Sequence, residues 1–547
     1  MTREHAAADL VVHGGTVHHL ADGTPPATTL AVRDGLVVAV AGPDAAQDLL
    51  QRSTGPGTTV VVDPDLVVLP AFVDTHNHLM LAGRNVLGVP VADARDIGEF
   101  VAAVRQRAAR TPPGQWIVTG AEWHEMQLAE RRMPTAAELD AATTEHPVVA
   151  LRGGHNAVLN SAALRQAGIG PATSDVPAGF IARDGSGRPT GWLQDAALEP
   201  VLRVLPPPAA EDLMRGLAQA SAHYAALGIG TVRDPAVSPA EWRTYRTAEA
   251  AGQLRVRSQS MIMTTPSTVA ATGSFSAYLD SLEAQGIAPG AGQGRLHVWG
   301  LKLVLDGGVE AAALEEPYAD RPDFRGELLW ERPDLVEALA CSVQRGWPVG
   351  THAFGDRAVG VLLDAVATVV ERTGPVCEGM LVVEHAGLIA ADRVAQAAAL
   401  GVHLTVQQAL LDGLARPLLA AWGPGRTAGL FPLRALVDAG VPISAGTDHP
   451  IGPLNPMRGL HGMTTRRTTG GVLGPEHAVT RTEALRLYTH AGARLLGRPH
   501  GASLVAGAPA DLVAYRSDPL TCPTEDLLEL APVLTVVGGE VVHRVDG

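Results

Sequence analysis

The chain has 547 residues, 46% of them hydrophobic, with 60 Gly and 40 Pro, enough to bury a large core in more than one domain. Its formal net charge of −15 speaks against nucleic acid or an anionic membrane as a partner. Cys341, Cys377 and Cys522 are too widely spaced for a thiolate zinc site or a disulfide framework. Residues 1–10 carry charges and no apolar signal-peptide core, and no run reaches the ~20 apolar residues of a membrane span. A cytoplasmic protein acting on a small molecule is expected, with a homodimer as the default assembly.

From Asp9 to about residue 68 the chain reads as short strands broken by Gly- and Asp-bearing turns, as in Thr29-Leu-Ala-Val-Arg-Asp-Gly-Leu-Val-Val. The stretches from Ala510 and from Val533 have the same texture. Neither end has strands enough to close a core alone, so the two are expected to meet in a β-sandwich formed by 1–66 and 500–547.

Between them, 67–499, eight apolar strands end in polar residues: Val67–His78, Gly230–Asp234, Arg255–Met263, His297–Gly307, Pro348–Gly355, Leu381–Ala386, Val402–Gln408 and Pro442–Asp448. Helical runs such as Ala210–Leu227, Asp356–Glu371 and Leu433–Ala439 separate many of them. Alternating strand and helix predicts an α/β chain with a parallel sheet, and eight repeats predict a closed (β/α)8 TIM barrel with its chemistry at the C-terminal strand ends. The interval after the first strand is far longer than a βα loop. With strands at Gln115–Gly120 and Pro147–Arg152 and helices at Ile97–Arg110 and Ser161–Gln166, residues 85–209 read as a subdomain inserted over the barrel mouth.

The polar residues at those strand ends form a pattern. The first strand ends in His76-Asn-His78, where i and i+2 face one side and both imidazoles can bind one ion. The fourth carries Lys302, the one lysine of the whole chain. Arg serves everywhere else, yet Arg cannot replace an amine that must lose its proton, as in carboxylation by CO2 to a bridging carbamate. The fifth strand brings His352, the sixth His385 and the eighth Asp448. A histidine after an apolar strand is more often a satisfied core residue than a ligand. Four His, one Lys and one Asp at the same end of five strands are what two divalent ions need.

These residues resemble the amidohydrolase superfamily, metal-dependent barrels flanked by a discontinuous β-sandwich. Gly154-His155-Asn-Ala-Val-Leu-Asn160-Ser161, Pro189-Thr-Gly191, Lys302-Leu-Val-Leu-Asp306-Gly307, His352-Ala-Phe-Gly355-Asp356, Glu384-His385-Ala386 and Ala510-Asp511-Leu512 are similar to its amidohydrolase family 3 branch, which includes formamide deformylases. The segment after Lys302 reads Asp-Gly-Gly-Val-Glu-Ala-Ala instead of Asp-Gly-Ser-x-Gly-Ser, and His449 stands where the branch often has a bulkier aromatic residue. The resemblance implies His76, His78 and Asp448 on one ion, His352 and His385 on a second, and carboxylated Lys302 between them. It implies zinc, with manganese or iron as alternatives, and attack by a metal-bridging hydroxide on a carbon–nitrogen bond other than a peptide bond, of the N-substituted amide or formamide type. Asp448 would carry the proton to the leaving nitrogen.

Candidates for substrate contact are Glu122, His124, His155, Gln407 and His449; Glu384 and Asp356 could support the histidines next to them. A deaminase of a cyclic amidine or nucleobase-like substrate would carry His-x-x-Glu, but Gly355 and Leu388 stand three residues after His352 and His385. Cleavage of a lactone or ester by the same site stays open. A non-catalytic binding protein on this fold would be expected to lack ligands, and none of the expected ones is missing.

Overall fold

The computed structural model describes residues 7–20, 23–154, 156–174, 176, 179–498, 500 and 502–545. They fall into two compact units, one of residues 1–78 and 221–547, the other of residues 79–220.

In the first unit the two ends of the chain pair in one eight-stranded sheet. Its order is Glu540–Arg544, Leu534–Val537, Leu512–Tyr515, Val67–Pro70, Leu10–Val17, Ala27–Arg33 and Leu36–Ala41, with Thr59–Val62 added beside Leu10–Val17. Strand alternation divides the side chains. Leu10, Val12, Leu30 and Val32 join Val68, Leu512 and Val536 in one core, while Val11 and Ala31 face Leu49 of the helix Pro43–Ser53. Residues from both wings share that core, and Val37 N donates to Ala508 O while Ala510 N donates to Gly35 O. In place of the two sheets of the expected sandwich, strand pairing joins both ends of the chain in one sheet.

The barrel strands are β1 (Phe72–Asp74), β2 (Ile229–Val237), β3 (Arg257–Met263), β4 (Leu296–Val304), β5 (Val349–Ala353), β6 (Leu381–His385), β7 (His403–Val406) and β8 (Ile443–Ala445). All run parallel to their neighbours, in sequence order. No ladder joins β8 to β1, but Thr75 N donates to Ala445 O at 3.2 Å and Asp448 N to His76 O at 2.8 Å, so hydrogen bonds bridge the seam. The backbones run so close there that a Cβ on Gly446 would lie 2.6 Å from His76 N.

One expected strand is divided. Val67–Pro70 pairs with Leu512–Tyr515 in the terminal sheet, and the barrel begins only at Phe72. The chain changes sheets at Ala71, whose N–H goes to Asp511 O. An unbroken apolar run conceals such a switch, because the outer ladder bonds, not hydrophobicity, decide it.

The second unit holds a five-stranded sheet in the order Gly179–Arg183, Pro189–Asp195, Asn156–Leu159, Val148–Arg152, Ile117–Val118. Both its faces are covered. Val148, Ala150 and Val158 pack with Phe100 and Val104 of the helix Ile97–Ala108, while Val149, Ala157 and Leu159 pack with Ala163 of the helix Ser161–Gln166. Among the described residues no helix is long and apolar enough to cross a membrane.

Candidate metal centre

Parallel register delivers the polar residues to one end of the barrel. Lys302 stands beside Gly350, Val304 beside His352, His352 beside Glu384, and Glu384 beside Thr405. His76 and His78 follow β1, His385 closes β6, and Asp448 follows β8. Two of these turn sharply: His385 has φ 74° and Asp448 φ 55°, left-handed values that a side chain accepts only at a cost of about 1–3 kcal/mol. Strain of this kind is retained where the direction of a side chain matters more than stability.

One ligand atom from each of His76, His385 and Asp448 lies within 4.8 Å of the others, and all three residues are buried. This triangle draws on both of the ligand sets suggested by the sequence. His78 Nε2 is 3.1 Å and His76 Nε2 3.6 Å from Asp448 Oδ1. Yet that buried oxygen accepts no hydrogen bond, and the buried Nδ1 of His78 has no partner among the described residues. A buried carboxylate oxygen that accepts no hydrogen bond, with two imidazole Nε2 atoms within 3.6 Å of it, is what a cation would satisfy. The rings of His352 and His385 have centroids 4.5 Å apart, and those of His76 and His385 4.6 Å.

The electrostatics favour neutral imidazoles. Burial, then the positive fields of Lys302 and His78, pushes His76 well below the ordinary histidine value. Burial, then His352 and His76, does the same to His385. Burial pushes the Lys302 amine down to about 8, against the pull of Glu384 and Asp448. Burial would raise the Glu384 carboxyl, but Arg233, Lys302 and the Thr405 hydroxyl outweigh it and hold it below the usual carboxylate range.

Around these groups lies a second ring of partners, several of which the sequence reading missed or misplaced. Glu384 does not support His385, its neighbour in sequence. Its Oε2 takes the Nδ1 hydrogen of His76 at 2.6 Å, because β-strand alternation turns consecutive side chains to opposite faces. Asp356 does not reach His352 either; its Oδ1 accepts from Glu315 N and Arg357 N at the start of a helix. Asp306 stands beside His352 instead, 3.4 Å from Nε2, while accepting from Ala313, Phe354 and Gly355 N–H groups. His352 Nε2 also faces Gly307 O at 3.1 Å, so that nitrogen is the donor and Nδ1 the basic one. Arg233, fully buried on β2, donates to Glu384 Oε1 at 2.5 Å and to Thr75 O, with its guanidinium 4.4 Å above the Trp299 ring. An arginine inside a barrel strand was the available signal for it.

Of the candidates for substrate contact, Gln407 is fully buried and binds His385 Nδ1 at 2.7 Å, so it holds a ring in place and has no surface for a substrate. His449 is half-buried, with Nδ1 3.1 Å from Gly452 O. Glu122 and His124 belong to the other unit, where Asn85 donates to Glu122 Oε1 and His124 Nδ1 accepts from Met126 N. His155 lies outside the described residues.

Known proteins share this organisation. The amidohydrolase family profile matches residues 65–543. The N-substituted formamide deformylase of Arthrobacter pascens is 28% identical over 518 residues, spanning 91% of this chain and 92% of that protein. The putative amidohydrolase YtcJ of Bacillus subtilis (strain 168) is 25% identical over 545 residues, or 97% of this chain and 99% of its own. Among solved structures, an uncharacterized metal-dependent hydrolase from Pyrococcus furiosus superposes with a TM-score of 0.72 at 25% identity, covering 94% of this chain and 100% of that one.

Proposed function

This chain belongs to the amidohydrolase family and is a hydrolytic enzyme, and on that premise we propose that it cleaves a carbon–nitrogen bond other than a peptide bond, in an N-substituted amide or formamide, using divalent metal. The observation that carries the metal requirement is the buried convergence of His76, His385 and Asp448, with Asp448 Oδ1 accepting no hydrogen bond. Two neutral imidazole nitrogens and a carboxylate oxygen suit zinc, manganese or iron(II). His76, His78 and Asp448 would hold one ion and His352 and His385 a second, with Lys302, carboxylated by CO2, supplying an anionic oxygen between them. The choice of an N-substituted amide leans on the likeness to the formamide deformylase of Arthrobacter pascens.

Bound ions supply two things here, a lower pKa for the attacking water and polarisation of the substrate carbonyl. Everything else is done by this chain. Asp448 takes the proton of the attacking water on a carboxylate oxygen and passes it to the leaving nitrogen, as general base and then general acid. Glu384 and Gln407 keep the rings of His76 and His385 from rotating. His449, half-buried and next to Asp448 in sequence, would contact the substrate.

Metal removal tests this reading. Dialysis against a chelator is expected to abolish hydrolysis, and adding back zinc, manganese or iron to restore it with about two ions per chain. One tightly held ion, with activity surviving Lys302→Ala, would contradict the binuclear centre.

A further inference from the structure

Beneath the candidate ligands runs a chain of hydrogen bonds whose polarity is dictated from one end. Arg233 can only donate, and its Nη2 meets Glu384 Oε1 at 2.5 Å. The paired carboxylate can only accept. Its Oε2 therefore takes the Nδ1 hydrogen of His76 at 2.6 Å and the Thr405 hydroxyl hydrogen at 2.6 Å. With its one hydrogen spent, Thr405 Oγ1 can only accept, and Gln407 Nε2 donates to it at 3.1 Å. That orientation of the Gln407 amide turns Oε1 toward His385, so His385 Nδ1, 2.7 Å away, must be the protonated nitrogen. Arg233, Glu384, Thr405 and Gln407 are all fully buried, and every link of the relay is a direct contact of 2.5–3.1 Å. Room for it is reserved: a Cβ on Gly350 would lie 2.2 Å from Glu384 Oε1.

We infer that Glu384, paired with Arg233, is the one positioning carboxylate for two rings, fixing the tautomer of His76 directly and of His385 through Thr405 and Gln407. Both rings are then left with Nε2 as the basic nitrogen. The inference rests on the reading of His76 and His385 as metal ligands. It goes further by making their orientations interdependent, although one was assigned to each ion. Nothing in either strand alone would require this; the junction is the Thr405 hydroxyl, which touches neither imidazole.

Thr405→Val keeps the shape and removes the junction, while Thr405→Ser keeps the hydroxyl. The full chain, labelled with 15N-histidine and freed of metal, reports ring tautomers by long-range proton–nitrogen correlation. In Thr405→Val, His76 is expected to retain Nδ1–H while His385 becomes a tautomer mixture, and Thr405→Ser to match the wild type. Zinc affinity, measured by chelator competition, is expected to fall about 10–100-fold in Thr405→Val and to recover in Thr405→Ser. If Thr405→Val does not fold, Thr405→Ala removes the same hydroxyl and is read in the same way. An unchanged His385 tautomer with unchanged zinc affinity in the folded variant would overturn the inference, as would Thr405→Ser behaving like Thr405→Val. A wild-type chain that binds no zinc would instead sink the metal reading, while the tautomers of the metal-free protein still decide the relay.

Discussion

Lys302 sits 3% exposed on β4, beside Gly350, whose missing side chain leaves space for Glu384. Its charge is disfavoured by burial, and it is the single lysine in a chain that otherwise uses arginine. If the amine becomes a carbamate, Lys302→Arg, conservative in charge, should lower activity by at least the 10–100-fold that loss of a supporting partner costs at a metal site. Lys302→Ala should regain part of that activity with added short-chain carboxylates. Steady-state rates with and without acetate or propionate check both, and a fully active Lys302→Arg would exclude the carbamate. The ligand candidates were legible in the sequence because each interrupts an apolar strand at its C-terminal end. The partners behind them were not, since Glu384 serves a histidine 308 positions away and Asp306 displaces the nearer Asp356.

Two junctions between elements hold charged groups in fixed pairs. Between Arg233 on β2 and Glu384 on β6 lies a buried ion pair crossing the barrel interior. Removing one partner leaves the other charge buried alone, so Arg233→Met should cost about 3–5 kcal/mol of stability, read from denaturant unfolding. A cost below about 1 kcal/mol would show that Glu384 finds another partner. In the inserted unit, Glu138 closes the helix Ala136–Asp140 as a capping box with Thr135 and pairs with Arg132 through both oxygens. The Arg132 hydrogen bonds, aided by Thr135 against burial, hold its carboxyl down to about 2. A depressed folded value means that the support is present above the unfolded carboxylate range and lost as pH falls toward 2. The protection factors of amides across 135–142, which correct for the intrinsic exchange rate at each pH, should fall over that range in the wild type, and Glu138→Gln should flatten the dependence.

For the whole molecule, the alternation of strand and helix was legible because eight separate periods repeat it. The sheet change at Ala71 was not, because Val67–Pro70 and Phe72–Asp74 read as one apolar run while their ladders lead to different sheets. The assembled barrel brings His76, His385 and Asp448 together at one end, within reach of a single metal ion. The most direct test is a panel of substrates given to metal-replete enzyme: N-substituted formamides, N-acyl amines and cyclic amides, set against esters, lactones and cyclic amidines. Turnover of a formamide or amide is expected, releasing acid and amine in equal amounts, lost with chelator and restored with metal. Silence across every amide, with turnover of a lactone, ester or amidine, would contradict it.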